Sequence, residues 1–301
     1  MTGYLSFIEF LNQNGISYKE DCDLSQYSSF KIGGDADIAL FPDSAEKFIA
    51  ALRKLRCCKI DHTVIGNGTN VLFSDEGYHG AIVFTTGMNS VTVSGNMISA
   101  EAGCSFTALA VMAQKNSLTG LEFAYGIPGT VGGAVFMNAG AYDGETAYVL
   151  EESTYYDPRT DKVDIMTGPD HGFCYRHSAY MENGCIVLKA LIRLKHGDPE
   201  AIKSKMDDFM QRRKAKQPLE LPSAGSAFKR YPGRYTAQMI DELGLKGYTS
   251  GGAKVSEKHA GFIVNNGGAS AKDVLTLIGY IKDKIYEKYG IQIEPEIRYI
   301  K

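Results

Sequence analysis

Thr63-Val-Ile-Gly-Asn-Gly-Thr-Asn-Val-Leu-Phe73 decides how the chain can fold. A β-forming run, Thr63 to Ile65, enters a glycine loop at Gly66 to Asn70, and a second apolar run, Val71 to Phe73, leaves it. A crossover between parallel strands usually runs through a helix, and this stretch leaves no room for one. It therefore argues against a βαβ dinucleotide unit. Neither G-x-G-x-x-G nor G-x-x-x-x-G-K-[ST] is present, so the Rossmann and Walker phosphate loops lack their motifs. A denser glycine region follows at Gly126-Ile-Pro-Gly-Thr-Val-Gly-Gly-Ala-Val-Phe-Met-Asn-Ala-Gly-Ala141. Glycine lets backbone N–H groups come close to a phosphate, and successive N–H groups favour an anion. Singly, each loop reads as a structural turn. Two loops, each flanked by strands, point to a diphosphate cofactor.

Outward from these loops the pattern is mixed. Residues 4–14 have helical apolar spacing, and Tyr27 to Gly34 reads as a short polar strand closing in a glycine pair. Asp43-Ser-Ala-Glu46 is a capping box that opens a helix to about Leu55. Strands are predicted at 39–41, 81–84, 91–93 and 97–102. A helix from Ser105 to about Asn116 turns Leu109, Met112 and Ala113 inward. Val149–Tyr156 and Lys162–Met166 flank the hairpin turn Asp157-Pro-Arg-Thr-Asp161, and Cys185–Lys195 is strongly β. At Asp198 the character changes to a charged helix, Pro199 to Lys216, which marks a domain boundary. Beyond it come a loop at 222–228, a helix near 236–243, and an amphipathic helix at 271–288 with Val274, Leu277, Ile281 and Ile285 inward. A strand from Ile291 to Ile300 closes the chain. Strands first and helices interspersed later indicate α+β.

Length and composition narrow the function. The chain's 301 residues suit two or three domains, and a net charge of −3 gives no reason to expect nucleic acid or an anionic membrane as partner. The 33 glycines are clustered rather than spread. Six cysteines form no C-x-x-C pair and no zinc spacing, so buried free thiols in a reducing cytosol, and no metal, are expected. Met1–Glu9 has no basic start, and no apolar run approaches the roughly 18–20 residues of a membrane span. A cytoplasmic, soluble monomer is the expectation.

Seven segments, in order, resemble the UDP-N-acetylenolpyruvoylglucosamine reductase family. Ser29-Phe-Lys-Ile-Gly-Gly34, Val64-Ile-Gly-Asn-Gly-Thr-Asn-Val71 and Ile127 to Ala141 look like its FAD-binding half. Tyr175-Arg176-x-Ser178, Gly225-Ser-Ala-Phe-Lys229, Gly251 to Asn265 and Glu294-Pro-Glu-Ile-Arg298 look like its active-site segments. The resemblance implies a vanillyl-alcohol-oxidase-type FAD-binding fold. Its two subdomains would be 1–75 and 76–197, followed by an α+β UDP-sugar domain at 198–290, with 291–301 returning to the active site. It implies FAD bound at Gly66, Asn67, Gly68, Thr69, Asn70, Pro128, Gly129, Thr130, Gly132, Gly133, Asn138 and Gly140. Oxidases of this fold often tether flavin to a histidine in the first loop; Thr69-Asn70 stands there, so the FAD is expected to be non-covalent.

The reaction implied is reduction of an enolpyruvyl ether by NADPH. It needs hydride on the terminal carbon, stabilisation of charge spreading into the carboxylate, and a proton on the neighbouring carbon. By resemblance, Arg176 holds the carboxylate, Glu296 polarises it and Ser226 donates the proton. Alone, Arg176 would read as a strand-end salt-bridge residue, Ser226 as a turn residue and Glu296 as an edge glutamate. Glu294 shares the strand face of Glu296 by period two. Tyr175, Lys216, Arg230, Lys254 and His259 are the candidates for the UDP-sugar, whereas Arg212-Arg213-Lys214 reads as a solvated face. His177 stands where the family often has an acid. The short run from Arg176 to Leu194 fits the subtype without the extra tyrosine loop. The alternatives are an FAD oxidase of the same fold and a non-catalytic nucleotide-sugar binding protein.

Overall fold

The computed structural model describes residues 2–301; Met1, first residue of the expected 1–75 subdomain and of the N-terminal segment, lies outside the described residues. The chain forms two compact units, each discontinuous in sequence. Unit 1 holds the chain to Glu20, Ile38–Asn67 and Gly80–Arg212; unit 2 holds Asp21–Asp37, Gly68–His79 and Arg213–Lys301. These units are cut differently from the contiguous segments expected. Helix Pro199–Lys216 stays largely with unit 1 because Ile202 and Met206 are buried in that unit's core.

Unit 1 holds most of two larger sheets. The first runs in the order Ser17–Asp23, Asp35–Phe41, Tyr78–Phe84, His62–Ile65, and its last two strands are parallel. No helix lies between those two strands in sequence, as the first glycine loop required. Helices Thr2–Gln13 and Ala45–Cys58 supply Phe7, Leu11, Phe48 and Leu52 to this core. The cap of the second helix is Ser44, one residue later than the expected Asp43; Asp43 instead pairs with Lys47 at 2.9 Å. The other sheet is antiparallel, in the order Lys162–Thr167, Leu150–Asp157, Ile186–Arg193, Met97–Glu101, Val91–Ser94. Helix Phe106–Lys115 buries Phe106, Leu109, Ala110 and Ala113. That i, i+3, i+4, i+7 stripe leaves Met112 off the face, and it is exposed rather than inward.

Unit 2 is built on the antiparallel order Ser223–Ser226, Phe262–Asn265, Ala253–Val255, Thr249–Ser250. Helix Ala271–Tyr289 covers it, with Val274, Leu277, Ile281 and Ile285 all buried. Phe30, Ile32 and Leu72 complete this core. Strand Val71–Phe73 pairs in parallel with Arg298–Ile300.

Three elements differ from expectation. Tyr27–Gly34 is no strand: a 3₁₀ turn, Leu24–Tyr27, capped by Asp23, leads into irregular chain, and although Phe30 and Ile32 both turn inward as period two requires, Lys31 between them is left-handed at φ +56° and breaks the extended backbone. The 222–228 loop contains the strand Ser223–Ser226. The final strand shrinks to Arg298–Ile300, since Pro295 offers no ladder donor. The cysteines are all free, but Cys57 and Cys174 are exposed rather than buried. Among the described residues no helix is long and apolar enough to cross a membrane, and no cluster could hold a metal.

Candidate active site

In unit 1 the two glycine loops meet. Asn67 donates from Nδ2 to the Pro128 carbonyl at 2.8 Å, across sixty-one positions of sequence. A Cβ on Gly66 would collide with Thr130 Oγ1, so only glycine lets the loops close this tightly. Thr130 is buried and caps helix Val131–Met137, accepting the Gly133 N–H at 3.3 Å. The second loop is thus followed by a helix, not a strand. Gly132 donates to the Ala102 carbonyl at 2.8 Å, so the Gly132 and Gly133 amides are already engaged inside the protein. The N–H groups of Gly66, Asn67 and Gly129 donate to nothing among the described residues. These are the donors free for a diphosphate.

Arg176 stands on a tight turn of the same unit. Cys174 and His177 bridge its base, and Arg176 itself has φ +55°, a left-handed conformation uncommon outside glycine. Its guanidinium donates to the Gly140 carbonyl at 3.1 Å and lies 5.4 Å from the centre of the Tyr175 ring. His177 pairs with Glu182 at 3.0 Å. Asn138, left-handed at the end of helix Val131–Met137, is 1% exposed and uses both ends of its amide on the protein. Nδ2 donates to the Cys174 carbonyl at 3.1 Å, and Oδ1 accepts the Ala147 N–H at 3.0 Å. Asn138 therefore ties the arginine turn to the second glycine region instead of offering its amide to a ligand. Ser178 does likewise, donating to the Phe136 carbonyl at 2.7 Å.

Unit 2 holds Ser226 and Glu296 together. Ser226 pairs across the sheet with Phe262, after Gly225 at φ +78° turns the strand. The Glu296 N–H donates to the carbonyl of Ala227, the next residue along, at 2.9 Å. Asn70 fixes the other side: its Nδ2 donates to the Glu296 carbonyl at 3.2 Å, and its own carbonyl accepts the Arg298 N–H at 3.0 Å. Glu294 points elsewhere. It is mostly exposed and paired with Lys229 at 3.0 Å, whereas Glu296 is half-buried. The period-two ambiguity between the two glutamates disappears because the segment is not a regular strand. The Ser226 hydroxyl is half-buried and has no protein partner among the described residues.

Further along unit 2, Lys254 pairs with Glu257 at 2.5 Å, and the Arg230 guanidinium lies 5.2 Å from the Tyr235 ring centre. Lys216 is exposed at the end of its helix. Arg213 departs from the solvated face expected of its run: it is buried and bonds Gln217 at 3.2 Å. His259 accepts the Gly261 N–H at Nδ1, 3.1 Å away, which leaves its proton on Nε2. Burial, helped by Lys246 and Lys216, holds its pKa below the usual 6.5, so the ring is a neutral donor. Gly68 accepts the Ser29 N–H at 3.1 Å, and Thr69 follows it, half-buried.

A family model described as an FAD binding domain matches residues 36–159, the span that contains both converging loops. A second, described as the UDP-N-acetylenolpyruvoylglucosamine reductase C-terminal domain, matches residues 217–300. The class is thus that of FAD-binding oxidoreductases with an α+β fold. The reductase of Caldanaerobacter subterraneus is 47% identical over 277 residues, 92% of this chain and 91% of its own. That of Caldicellulosiruptor bescii is 45% identical over 298 residues, 98% and 95%. The crystal structure of UDP-N-acetylenolpyruvylglucosamine reductase from Thermus caldophilus superposes with TM-score 0.80 at 32% identity, covering 95% of this chain and 99% of that one. The chain belongs to the UDP-N-acetylenolpyruvoylglucosamine reductase family.

Proposed function

We propose that the chain reduces the enolpyruvyl ether of UDP-N-acetylenolpyruvoylglucosamine to UDP-N-acetylmuramate with NADPH, a step in making peptidoglycan precursors. The observation that carries this reading is the nearness in sequence of the unpartnered Ser226 hydroxyl to Ala227, whose carbonyl accepts the backbone N–H of the half-buried Glu296 at 2.9 Å. Binding alone needs no proton donor, and an oxidase puts no proton on carbon. The free N–H groups of Gly66, Asn67 and Gly129 fit a diphosphate, which supports FAD. FAD, when bound there, would supply the hydride chemistry that links NADPH to the terminal carbon of the substrate. No histidine or cysteine stands in the 66–70 loop, so the FAD is held non-covalently.

Arg176 grips the substrate carboxylate with its forked donors. Glu296, in its protonated form, donates a hydrogen bond to the same group as charge develops there. Ser226 delivers its proton to the carbon next to the one that takes hydride, and the ether becomes saturated. Lys216, Arg230 and Lys254 neutralise the diphosphate of the substrate, and Tyr175 and His259 line its sugar. Segments 1–75 and 76–197 serve FAD, 198–290 serves the UDP-sugar, and 291–301 brings Glu296 to the reaction. The protein works as a cytoplasmic monomer.

Following NADPH absorbance in air, with and without the enolpyruvyl substrate, tests the assignment. Turnover that depends on that substrate is expected, and flavin should leave the chain on denaturation. Peroxide formed from an alcohol or sugar would establish an oxidase instead, and binding without turnover a nucleotide-sugar carrier.

A further inference from the structure

Unit 1 contains a second polar cluster that the reductase reading does not use. Ser153 on strand Leu150–Asp157, His171 and Tyr180 are 0%, 1% and 2% exposed. Ser153 Oγ lies 2.7 Å from His171 Nε2 and 2.7 Å from the Tyr180 hydroxyl, and His171 Nδ1 lies 3.1 Å from the Gly168 carbonyl. A carbonyl can only accept, so Nδ1 carries the proton and Nε2 accepts from Ser153, whose oxygen then accepts from Tyr180. One tautomer satisfies the whole chain. Such a cluster is a poor route to stability, because apolar side chains of similar shape would serve as well. What it supplies is a defined geometry.

His171 and Tyr180 stand at the two ends of the turn that carries Arg176. The His171 carbonyl accepts the Ala179 N–H at 2.7 Å, closing the loop at its base, and the His171 ring stacks on Phe173 at 4.9 Å. The tip is a left-handed arginine, a conformation that persists only where the surroundings over-determine it. Asn138 and Ser178 hold the sides of the turn, at Cys174 and Phe136. The buried chain holds its base to the central sheet.

We propose that Ser153, His171 and Tyr180 are positioning residues for Arg176, a buried hydrogen-bonded clamp that fixes both ends of turn 172–179 and so the placement of the guanidinium. This rests on the assignment of Arg176 to the substrate carboxylate. Ser153→Ala breaks the clamp at its centre with little change of volume. In the apoprotein, amide hydrogen exchange should accelerate at least about tenfold across 172–179 and stay unchanged in strand Ile186–Arg193. In the FAD-loaded enzyme, flavin reduction by NADPH should be normal, while reoxidation by the enolpyruvyl substrate slows about 10- to 100-fold, the scale of a small misplacement. In an Arg176→Lys background the same substitution should add almost nothing, because both act through one contact.

Unchanged exchange in 172–179, equal slowing of both half-reactions, or full additivity with Arg176→Lys would each overturn the proposal. Tyr180→Phe, which keeps the ring packed and removes one donor, gives the same readouts if the alanine variant folds poorly. Arg176→Lys with a normal second half-reaction would refute the assignment of Arg176 itself. That is separable from failure of the clamp, which is a normal Ser153→Ala beside an impaired Arg176→Lys.

Discussion

Replacing Ser226 by alanine isolates one chemical step. The structure makes the change unusually clean. The hydroxyl has no protein partner among the described residues, so its removal orphans no donor or acceptor. The backbone there is set by pairing with Phe262 and by Gly225, neither of which the substitution touches. Folding stability should therefore move by less than about 0.5 kcal/mol. The chemistry should move far more: loss of a general acid costs ~10²–10⁴ in rate, or about 2.7–5.4 kcal/mol of barrier. Only the half-reaction that puts a proton on carbon can feel this. Rapid-mixing absorbance of the flavin separates the two halves. Bleaching by NADPH should be normal and reoxidation by the enolpyruvyl substrate slow, with Ser226→Cys recovering part of the loss because a thiol can also donate. Equal slowing of both halves would show that Ser226 shapes the strand rather than delivering a proton. An unimpaired variant would place the donor elsewhere.

Three further outcomes are expected. Arg176→Lys keeps the charge but not the planar fork, and should raise the barrier of substrate reduction by roughly 3 kcal/mol; near-normal turnover would make Arg176 a structural residue. Glu296→Gln should impair the same half-reaction by about 10²-fold, whereas Glu294→Gln, which loses only a surface pair to Lys229, should cost at most about 1 kcal/mol of stability and no rate. Comparison of the two variants in the rapid-mixing assay decides between them. Thermal stability should fall as pH drops below about 6.5. Burial of His171 holds its pKa below that of the unfolded chain, against a weaker opposing pull from Gly168 and Asp170, and His259 is shifted the same way. The unfolded state therefore binds more protons in that window, and stability present above it is lost as pH falls through the folded pKa values. Melting curves of His171→Gln should show a weaker dependence over the same range, and an undiminished one would assign the effect to other groups.

Local pattern carried much of the architecture. The helix start near Asp43, the amphipathic stripe of helix Ala271–Tyr289, the hairpin at Asp157 to Asp161 and the absence of a crossover helix after Ile65 all follow from spacing within a few residues. The reading failed where local pattern was not enough: Met112 sits one position off its stripe, and the alternation of Phe30 and Ile32 is interrupted by Lys31 in a left-handed conformation. The site was legible in part. Arg176, Ser226 and Glu296 stand out through motif resemblance, but the choice of Glu296 over Glu294 becomes physical only once Glu294 is seen exposed and paired with Lys229. Asn67 reaching Pro128 and Ser153 reaching His171 are long-range contacts with no local signal. For Asn138, its place after a glycine-rich helix was a hint of a left-handed cap, though not of its hold on Cys174.

The parallel pairing of Val71–Phe73 with Arg298–Ile300 has a consequence for biosynthesis. On a ribosome adding about 5–20 residues per second, Leu72 emerges roughly 10–45 s before its strand partner exists. Until Ala224 is made, Phe30, Ile32 and Leu72 have no core to enter, because the other residues of that core run from Ala224 to Ile297. The nascent chain thus carries exposed apolar segments for most of its synthesis and presents a long-lived target for holdase chaperones. Asn70, held by Glu296 and Arg298, is fixed last. Chains shortened before Arg298 should accumulate as aggregates rather than as a folded, flavin-free intermediate.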